Sequence, residues 1–192
     1  MIRFSEYFNS WLYEKDGYYS DYKNIGKDGD FFTSVSVTPF FGGAIAKKII
    51  DSIESGFLNK NSTILEIGAH KGYLLADIIQ FIYTLKPELL KTLNFAILER
   101  FESLRVVQKK YLFDSFADSI NFQHYKNFDE IKLDSAFIIS NELFDSFACD
   151  LIYTKDNVIK QAFVDHHKIE FLPCNDEKIL KHCKKYKITK GE

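Results

Sequence analysis

The sequence predicts an α/β fold built on a parallel β-sheet, and two features carry that prediction. Between residues 62 and 140, short continuous apolar runs alternate with segments whose apolar residues recur at helical spacing. Continuous apolar strands separated by helices are typical of a parallel sheet covered on both faces. The second feature is a glycine-bearing turn, residues 68–72, between one such strand and the helix after it.

Composition restricts the class of protein before any motif is considered. The chain has 192 residues, of which 46% are hydrophobic, enough for one folded core with a small appendage. Its formal net charge of −2 gives no electrostatic reason to expect nucleic acid or an anionic membrane as a partner. No apolar run reaches the roughly 18 residues of a membrane span, and we see no signal or transit peptide. Three irregularly spaced cysteines fit neither a disulfide framework nor a zinc site, so we expect a reducing cytoplasm.

The first 58 residues predict a helical cap that includes a glycine- and aromatic-rich loop. Apolar residues at helical spacing indicate a first helix that ends near Gly17: Phe4, Phe8, Trp11 and Leu12. We expect most aromatic residues of this region to lie in the core. Thr38 and Pro39 are typical of a helix start. The apolar face of the helix that they open comprises Phe41, Ile45, Ile49 and Ile53.

The core is predicted over residues 59–150 as a Rossmann-like domain with four strands. The strands are expected at residues 62–65, 93–98, 120–125 and 136–140. The third part, residues 151–192, predicts short antiparallel strands at 151–153, 158–164 and 168–172. Polar turns at Asp156-Asn157 and Asp165-His166 would join these strands, and a lysine-rich helix would follow from about Asp176.

Three residues stand where predicted strands end: Gly68, Glu99 and Asn141. In open α/β sheets, ligands bind beyond the carboxyl ends of the strands. The glycine turn opens a helix, whose first N–H groups and positive dipole end attract an anionic ligand group. Glu66, just before the turn, suits a ligand that also carries an ammonium or hydroxyl group. The pattern therefore favours S-adenosylmethionine (SAM) or a related nucleotide, although an ordinary tight connection would also explain the turn.

The residues after the second and fourth strands extend this interpretation. A carboxylate at Glu99 could accept both ribose hydroxyl protons of a bound nucleoside. Asn141 and Glu142 would line the pocket above the sheet and could hold a nitrogen nucleophile for transfer of the SAM methyl group. Helix capping is an equally good explanation of these two residues.

At these residues the chain resembles the MidA-like SAM-dependent methyltransferases, a family that includes a mitochondrial protein arginine methyltransferase that assists complex I assembly. The resemblance runs from about residue 15 to residue 150. It is carried by five blocks: Gly17-Tyr18-Tyr19-Ser20 with Gly29-Asp30-Phe31 and Thr33; Phe41-Gly42; Glu66-Ile67-Gly68 with Gly72, Leu74 and Asp77-Ile78; Glu99 with Leu104-Arg105 and Gln108; and Asn141-Glu142-Leu143-Phe144-Asp145.

The resemblance implies a class I SAM-methyltransferase fold with an N-terminal helical cap and a C-terminal β-hairpin insertion. It implies SAM as cofactor and a protein arginine side chain as methyl acceptor. The implied cofactor-binding residues are Gly29, Asp30, Phe31, Thr33, Glu66, Gly68, Gly72 and Glu99. Glu142, with Asp145, would pair with the guanidinium, and Asn141 would position the nucleophile.

The chain also departs from the family's pattern. His70 replaces a glycine of the turn, Val35-Ser36 replaces proline-glutamate, and Phe147-Ala148 replaces leucine-proline. A complete class I sheet has three more strands, so we expect a truncated sheet with an unpaired edge. These departures leave open a second hypothesis, a non-catalytic methyltransferase-like binding or assembly module with weakened or lost SAM binding.

Two other hypotheses have less support. A nicotinamide-dinucleotide protein would need the full G-x-G-x-x-G fingerprint and a second nucleotide-binding half. His166, His167 and Glu170 fit no familiar metal-ligand spacing, and a hairpin turn explains them. The sequence leaves open whether the chain forms a homo-oligomer.

Overall fold

The structure is a computed structural model that describes residues 1–15, 17–20 and 38–188. The chain divides into two compact units: Met1–Tyr22 together with Phe144–Glu192, and Lys23–Leu143. The sequence predicted three parts that follow one another along the chain. In the structure, the first unit instead contains residues from both ends of the chain.

The described residues form eight strands and five α-helices. In chain order, the strands are β1 (Ile2–Arg3), β2 (Thr63–Ile67), β3 (Asn94–Leu98), β4 (Asn121–Tyr125), β5 (Ala136–Ser140), β6 (Ile152–Lys155), β7 (Val158–Asp165) and β8 (Lys168–Pro173). The helices are α1 (Phe4–Tyr13), α2 (Phe40–Glu54), α3 (Tyr73–Leu85), α4 (Glu102–Phe116) and α5 (Glu177–Lys185).

The unit Lys23–Leu143 contains a parallel sheet with the strand order β4-β3-β2-β5. All three strand pairs are parallel and in simple register, so that Ile67 at the end of β2 lies beside Leu98 of β3 and Ser140 of β5. The four strands fall where the alternation of apolar runs placed them. The predicted α/β fold with a parallel sheet is therefore confirmed.

One face of this sheet carries the main core. Ile64, Phe95 and Ile97 project from the strands into a cluster with helical residues of α2, α3 and α4, and all three are fully buried. Burial of a side chain of this size stabilises the fold by roughly 1.5–3 kcal/mol. The helical members of the cluster include Ala46, Ile49, Ile50, Leu74, Leu75, Ile78, Ile79 and Leu112.

The other face is covered differently from the prediction. Leu65, Ala96 and Leu98 form a second buried cluster, packed against Ile131, Leu133 and other partly buried residues, none of which, among the described residues, lies in a helix. Ile138 of β5 projects from this face and is 60% exposed. The expectation of a sheet covered on both faces is therefore wrong at β5. The reason is that β4 and β5 are joined through the 3₁₀ helix Phe128–Glu130 rather than an α-helix.

The other unit contains an antiparallel sheet centred on β7. Strand β6 pairs with the first half of β7 and β1 pairs with Phe163 and Val164, while β8 pairs along Lys160–Asp165 on the remaining edge. The turns at Asp156-Asn157 and His166-His167 have positive φ at both residues, as two-residue type I′ hairpins require. The predicted hairpins are confirmed, with the second turn one residue later. The pairing of β1 was not predicted.

Helix α1 lies at the predicted position, but its aromatic residues are less buried than expected. Leu12 is its buried residue, whereas Trp11 is 59% exposed. Phe40, at the start of α2, is also exposed and its ring contacts Phe81. The prediction that these aromatic residues belong to the core is therefore wrong for Trp11 and Phe40. Helical spacing gives the direction of a side chain but not whether another element covers it.

Candidate functional site

The carboxyl ends of β2, β3 and β5 lie side by side, because these strands are parallel and in register. The N–H of Gly68 donates to the carbonyl oxygen of Leu98 over 3.2 Å, so the glycine turn begins directly beside the end of β3. On the other side of β2, Ile67 pairs with Ser140, the last residue of β5. The structure therefore brings together the three predicted strand-end positions, 68, 99 and 141, at one edge of the sheet.

The glycine turn, residues 68–72, uses left-handed backbone at three positions. Gly68 has φ of 71°, His70 of 47° and Gly72 of 84°. Gly72 stands immediately before α3, where its N–H donates to the carbonyl oxygen of Ala69 over 2.7 Å. Glycine reaches this conformation freely, but histidine adopts it at some cost. His70 is one of the departures from the family's pattern, and its left-handed φ shows why glycine suits this position.

Gly68 is exposed, and its bare Cα faces the segment that follows β5. A Cβ atom built on Gly68 would stand 2.7 Å from Cδ1 of Leu143. The positive φ favours glycine at this position, and a larger residue would also have to displace the end of the Leu143 side chain. The contact also shows that the Asn141-Glu142-Leu143 segment reaches over the end of β2.

Glu66 lies under the turn rather than at its surface. Its side chain is buried in the main core face, and Oε2 accepts a hydrogen bond from the N–H of Leu75 in the first turn of α3 over 3.2 Å. Burial raises the pKa of Glu66 to about 8, and the bond from Leu75 partly opposes this rise. Glu66 thus caps the amino end of α3 from its buried side. A contact with the ammonium group of a cofactor stays a prediction.

Glu99 follows β3 and is buried beside the turn. Its Oε1 accepts from the N–H of Phe101 over 3.0 Å, and its carboxylate also accepts from the amide of Gln108. Burial raises the pKa of Glu99, while these two bonds and the nearby Arg100 and Arg105 oppose the rise. An ionised carboxylate offers about four acceptor positions. Among the described residues, Phe101 and Gln108 account for two of these positions, which leaves two that a pair of ribose hydroxyl groups could use.

Two residues that hold this edge together have functions that the sequence reasoning did not assign. Arg105 donates to the carbonyl oxygens of Glu99 and Arg100 over 2.7 and 2.9 Å, and it forms an ion pair with Glu102. Gln108 is fully buried and bonds to the backbone of the glycine turn. Its position between Leu104 and Leu112, in the buried stripe of α4, was the available signal.

The predicted catalytic residues fall in different places. Asn141 is partly buried, and Glu142 is exposed and has left-handed φ of 48°. Asp145 is exposed and lies in the 3₁₀ helix Phe144–Ser146, which belongs to the other unit. Four of the predicted cofactor-binding residues lie outside the described residues: Gly29, Asp30, Phe31 and Thr33. Val35 and Ser36 also lie outside them.

Other possible sites have less support. Within residues 1–15, 17–20 and 38–188, no group of three or more metal-ligating side chains is close enough to hold an ion. His166 and His167 form a hairpin turn, and all three cysteines are unpaired thiols. A shallow hollow of about 490 Å³ is lined by Lys48, Asp51, Ser52, Ser55 and Phe57, next to the connection from α2 to the amino end of β2. None of the described helices is long and apolar enough to cross a membrane.

Three features together are typical of the nucleotide site of a class I methyltransferase: the parallel sheet, the glycine turn at the start of α3 and the carboxylate at the end of the neighbouring strand. A family model agrees: residues 44–189 match the family described as "Putative S-adenosyl-L-methionine-dependent methyltransferase". The chain belongs to this family. The cofactor of the family is SAM, and the exposed Gly68 and the free acceptor positions of Glu99 fit such a ligand.

Two relatives and one solved structure are similar to this chain. The chain is 24% identical over 148 residues to "Protein arginine methyltransferase NDUFAF7, mitochondrial" of Bos taurus, covering 67% of this chain and 33% of that protein. The Rattus norvegicus protein of the same name is 20% identical over 168 residues, covering 78% and 38%. A superfamily member from Burkholderia thailandensis, solved with bound S-adenosyl-homocysteine, superposes with a TM-score of 0.73 at 20% identity, covering 95% and 48%. The chain thus spans about half or less of the length of these relatives.

Proposed function

We propose that this chain binds SAM at the edge formed by the ends of β2, β3 and β5 and acts in methyl transfer to a protein arginine. The observation that carries the proposal is the convergence of residues 68, 99 and 141 beside the amino end of α3. The positive end of the α3 dipole favours the carboxylate of the methionine part of SAM. In this arrangement Glu99 accepts the ribose hydroxyls, and Gly68 and Gly72 contact the methionine end.

The methyl acceptor would lie against the segment after β5. When bound, SAM would supply a methyl group on a sulfonium: the acceptor nitrogen would bond to the methyl carbon, the sulfur would leave as the thioether of S-adenosyl-homocysteine, and the proton lost by the nitrogen would pass to water. The exposed carboxylate of Glu142 pairs with a guanidinium, and Asn141 orients the reacting nitrogen. The names of the bovine and rat relatives support arginine as the acceptor.

A second candidate function is a methyltransferase-like binding or assembly module without turnover. Two observations favour it: His70 holds a left-handed backbone that glycine would adopt without strain, and Leu143 packs over Gly68. Either feature would reduce the affinity for SAM.

The three unpaired cysteines support a reducing cytoplasm as the proposed compartment for either function.

Calorimetry with S-adenosyl-homocysteine separates the two candidates. We expect micromolar binding by the protein as it stands, and an affinity lowered roughly tenfold or more by Glu99→Gln, which keeps the shape but removes the charge that the ribose hydroxyls contact. Glu88→Gln, an exposed carboxylate distant from the strand ends, is the matched control. No heat at millimolar ligand would contradict SAM binding and support the non-catalytic module.

Transfer is tested separately, with radiolabelled SAM and arginine-rich protein acceptors. We expect label on arginine, a large loss of turnover in Glu142→Gln with unchanged cofactor affinity, and no loss in the exposed control Glu170→Gln. Full turnover by Glu142→Gln would remove Glu142 from the reaction. Label on another residue type would overturn arginine as the acceptor while leaving SAM binding intact.

A further inference from the structure

We propose that Gln108 is a positioning residue, whose buried amide ties the carboxylate of Glu99 to the backbone of the glycine turn and so holds the ribose and methionine ends of the site in a fixed relation. This inference rests on the proposed function for its ligand, but its geometry belongs to the ligand-free protein. Gln108 lies in the middle of α4 and is fully buried. A buried amide in an apolar stripe is unfavourable unless its hydrogen bonds are made, so its partners define its purpose.

The orientation of the amide follows from its partners. Nε2 of Gln108 lies 2.7 Å from the carbonyl oxygen of His70, which can only accept, so the NH₂ group must face the turn. Oε1 then faces Nε2 of His124 on β4, at 2.9 Å. Because Oε1 can only accept, Nε2 of that imidazole must carry a hydrogen atom. Burial, followed by the nearby Arg105 and Lys109, lowers the pKa of His124 to about 4, so the ring is neutral near pH 7.

Glu99 also interacts with this amide, since a hydrogen bond from the side chain of Gln108 is among the causes that oppose the rise in the pKa of Glu99. The amide therefore bonds at once to the turn after β2, to the carboxylate after β3 and to the imidazole of β4. No other described side chain joins these three strands by hydrogen bonds of one group.

The aliphatic part of Gln108 contributes a packing contact to the same turn. A Cβ built on Gly72 would stand 3.7 Å from Cγ of Gln108 and 3.7 Å from Cδ1 of Ile97. Gln108 thus holds the turn at two points, the carbonyl group of His70 and the Cα of Gly72. A shorter or apolar side chain keeps at most one of these contacts.

Several charged groups surround this network and must be considered in any pH measurement. Arg100 and Arg105 lie near Glu99, and Arg105, Lys109 and Glu102 act on His124. All are the same in the protein and in the variants below. Differences between the variants therefore report the loss of the amide.

The test compares Gln108→Met, which has similar size but no amide, with the unaltered protein and with Gln80→Met, an exposed glutamine on α3. Gln108→Asn is the second variant, because it stays polar but is too short to reach all three partners. Without ligand, ¹⁵N NMR of the imidazole should show His124 protonated at Nε2 in the protein and in Gln80→Met, and a mixture of tautomers in Gln108→Met. Carbon NMR should show a higher pKa for Glu99 in both Gln108 variants.

With S-adenosyl-homocysteine, both Gln108 variants should lose roughly tenfold or more in affinity. The loss should be strongly non-additive with that of Glu99→Gln, because the two residues act together. Unchanged imidazole tautomers and an unchanged Glu99 pKa in the Gln108 variants would overturn the proposal even if no ligand binds. Additive losses would also overturn it. Absence of binding by the unaltered protein would instead contradict the proposed function alone.

Discussion

Cδ1 of Leu143 lies 2.7 Å from the position that a Cβ atom would take on Gly68. This contact joins the segment after β5 to the first residue of the glycine turn, although the two are far apart in sequence. The φ of 71° explains why glycine begins the turn, and the contact places the proposed acceptor side of the site directly against its cofactor side.

The first prediction concerns this contact. Gly68→Ala should lower the free energy of unfolding by about 1.5–3 kcal/mol, mainly because the backbone has φ of 71° and in small part because the new methyl group must displace the end of the Leu143 side chain. Gly56→Ala is the matched control, since its φ is 77° and no atom lies within 4 Å of the added Cβ. It should cost only about 1 kcal/mol. Urea unfolding measures both, and equal losses would show that Leu143 does not restrict position 68.

The second prediction concerns the packing of α2 against α3. A Cβ on Gly42 would stand 2.5 Å from Cβ of Asp77 and 3.2 Å from the backbone nitrogen of Ile78, so the helices must separate. Gly42→Ala should therefore lower the unfolding free energy by about 1–3 kcal/mol despite the better helix propensity of alanine. Gly43→Ala meets only ring atoms of Phe81, which can move, and should cost less. The reverse order of the two would contradict the observed helix contact.

The third prediction is a pH dependence of stability. The pKa of Glu66 is raised from 4.5 to about 8 in the folded protein, so this group favours folding most below pH 4.5. As pH rises to about 8, the unfolded chain releases the proton while the folded protein keeps it, and the unfolding free energy falls by up to roughly 1.4 kcal/mol per pH unit. Glu66→Gln should remove most of this fall. Unfolding titrations between pH 5 and 8, at about one-unit steps, measure it.

His124 gives a pH dependence of stability with the opposite sign, which the same unfolding titrations measure. Its pKa is lowered from 6.5 to about 4, so its contribution to stability is present above pH 6.5 and is lost as pH falls through about 4. His124→Asn should reduce the loss of stability on acidification and leave the alkaline limb unchanged.

An identical pH profile for the Glu66→Gln variant and the unaltered protein would contradict the buried position of Glu66.

The fourth prediction addresses His70. His70→Gly should leave stability unchanged or raise it by up to about 1 kcal/mol, because relief of the left-handed backbone is offset by the greater chain entropy of glycine. The bond from Gln108 is retained, since it goes to the backbone carbonyl group. Affinity for S-adenosyl-homocysteine should be equal or higher in calorimetry. Weaker binding would show that the imidazole itself belongs to the site.

The sequence predicted the parts of the fold that depend on periodicity. The four parallel strands, the glycine turn and the alignment of Gly68, Glu99 and Asn141 all follow from apolar runs that end at polar residues. It did not predict the exposure of Ile138, because an apolar run does not reveal whether a helix covers it.

The sequence also identified Glu66 as a candidate site residue, but it did not show that the side chain is buried. A carboxylate before a glycine turn suggests a ligand contact, but the alternation of β2 turns this side chain into the core under α3. Gln108 was noticed only through the family resemblance, since spacing cannot show which groups a buried amide will bond. Such hydrogen-bond networks depend on distances between elements that are remote in sequence.

The central claim is that one edge of the parallel sheet binds the cofactor. A ¹H–¹⁵N NMR titration with S-adenosyl-homocysteine tests it most directly. We predict saturable shifts at Gly68, Gly72, Glu99 and Asn141, with none at the exposed hairpin turn of His166. Shifts restricted to the hairpin unit, or no saturable change at the strand ends at millimolar ligand, would contradict the account.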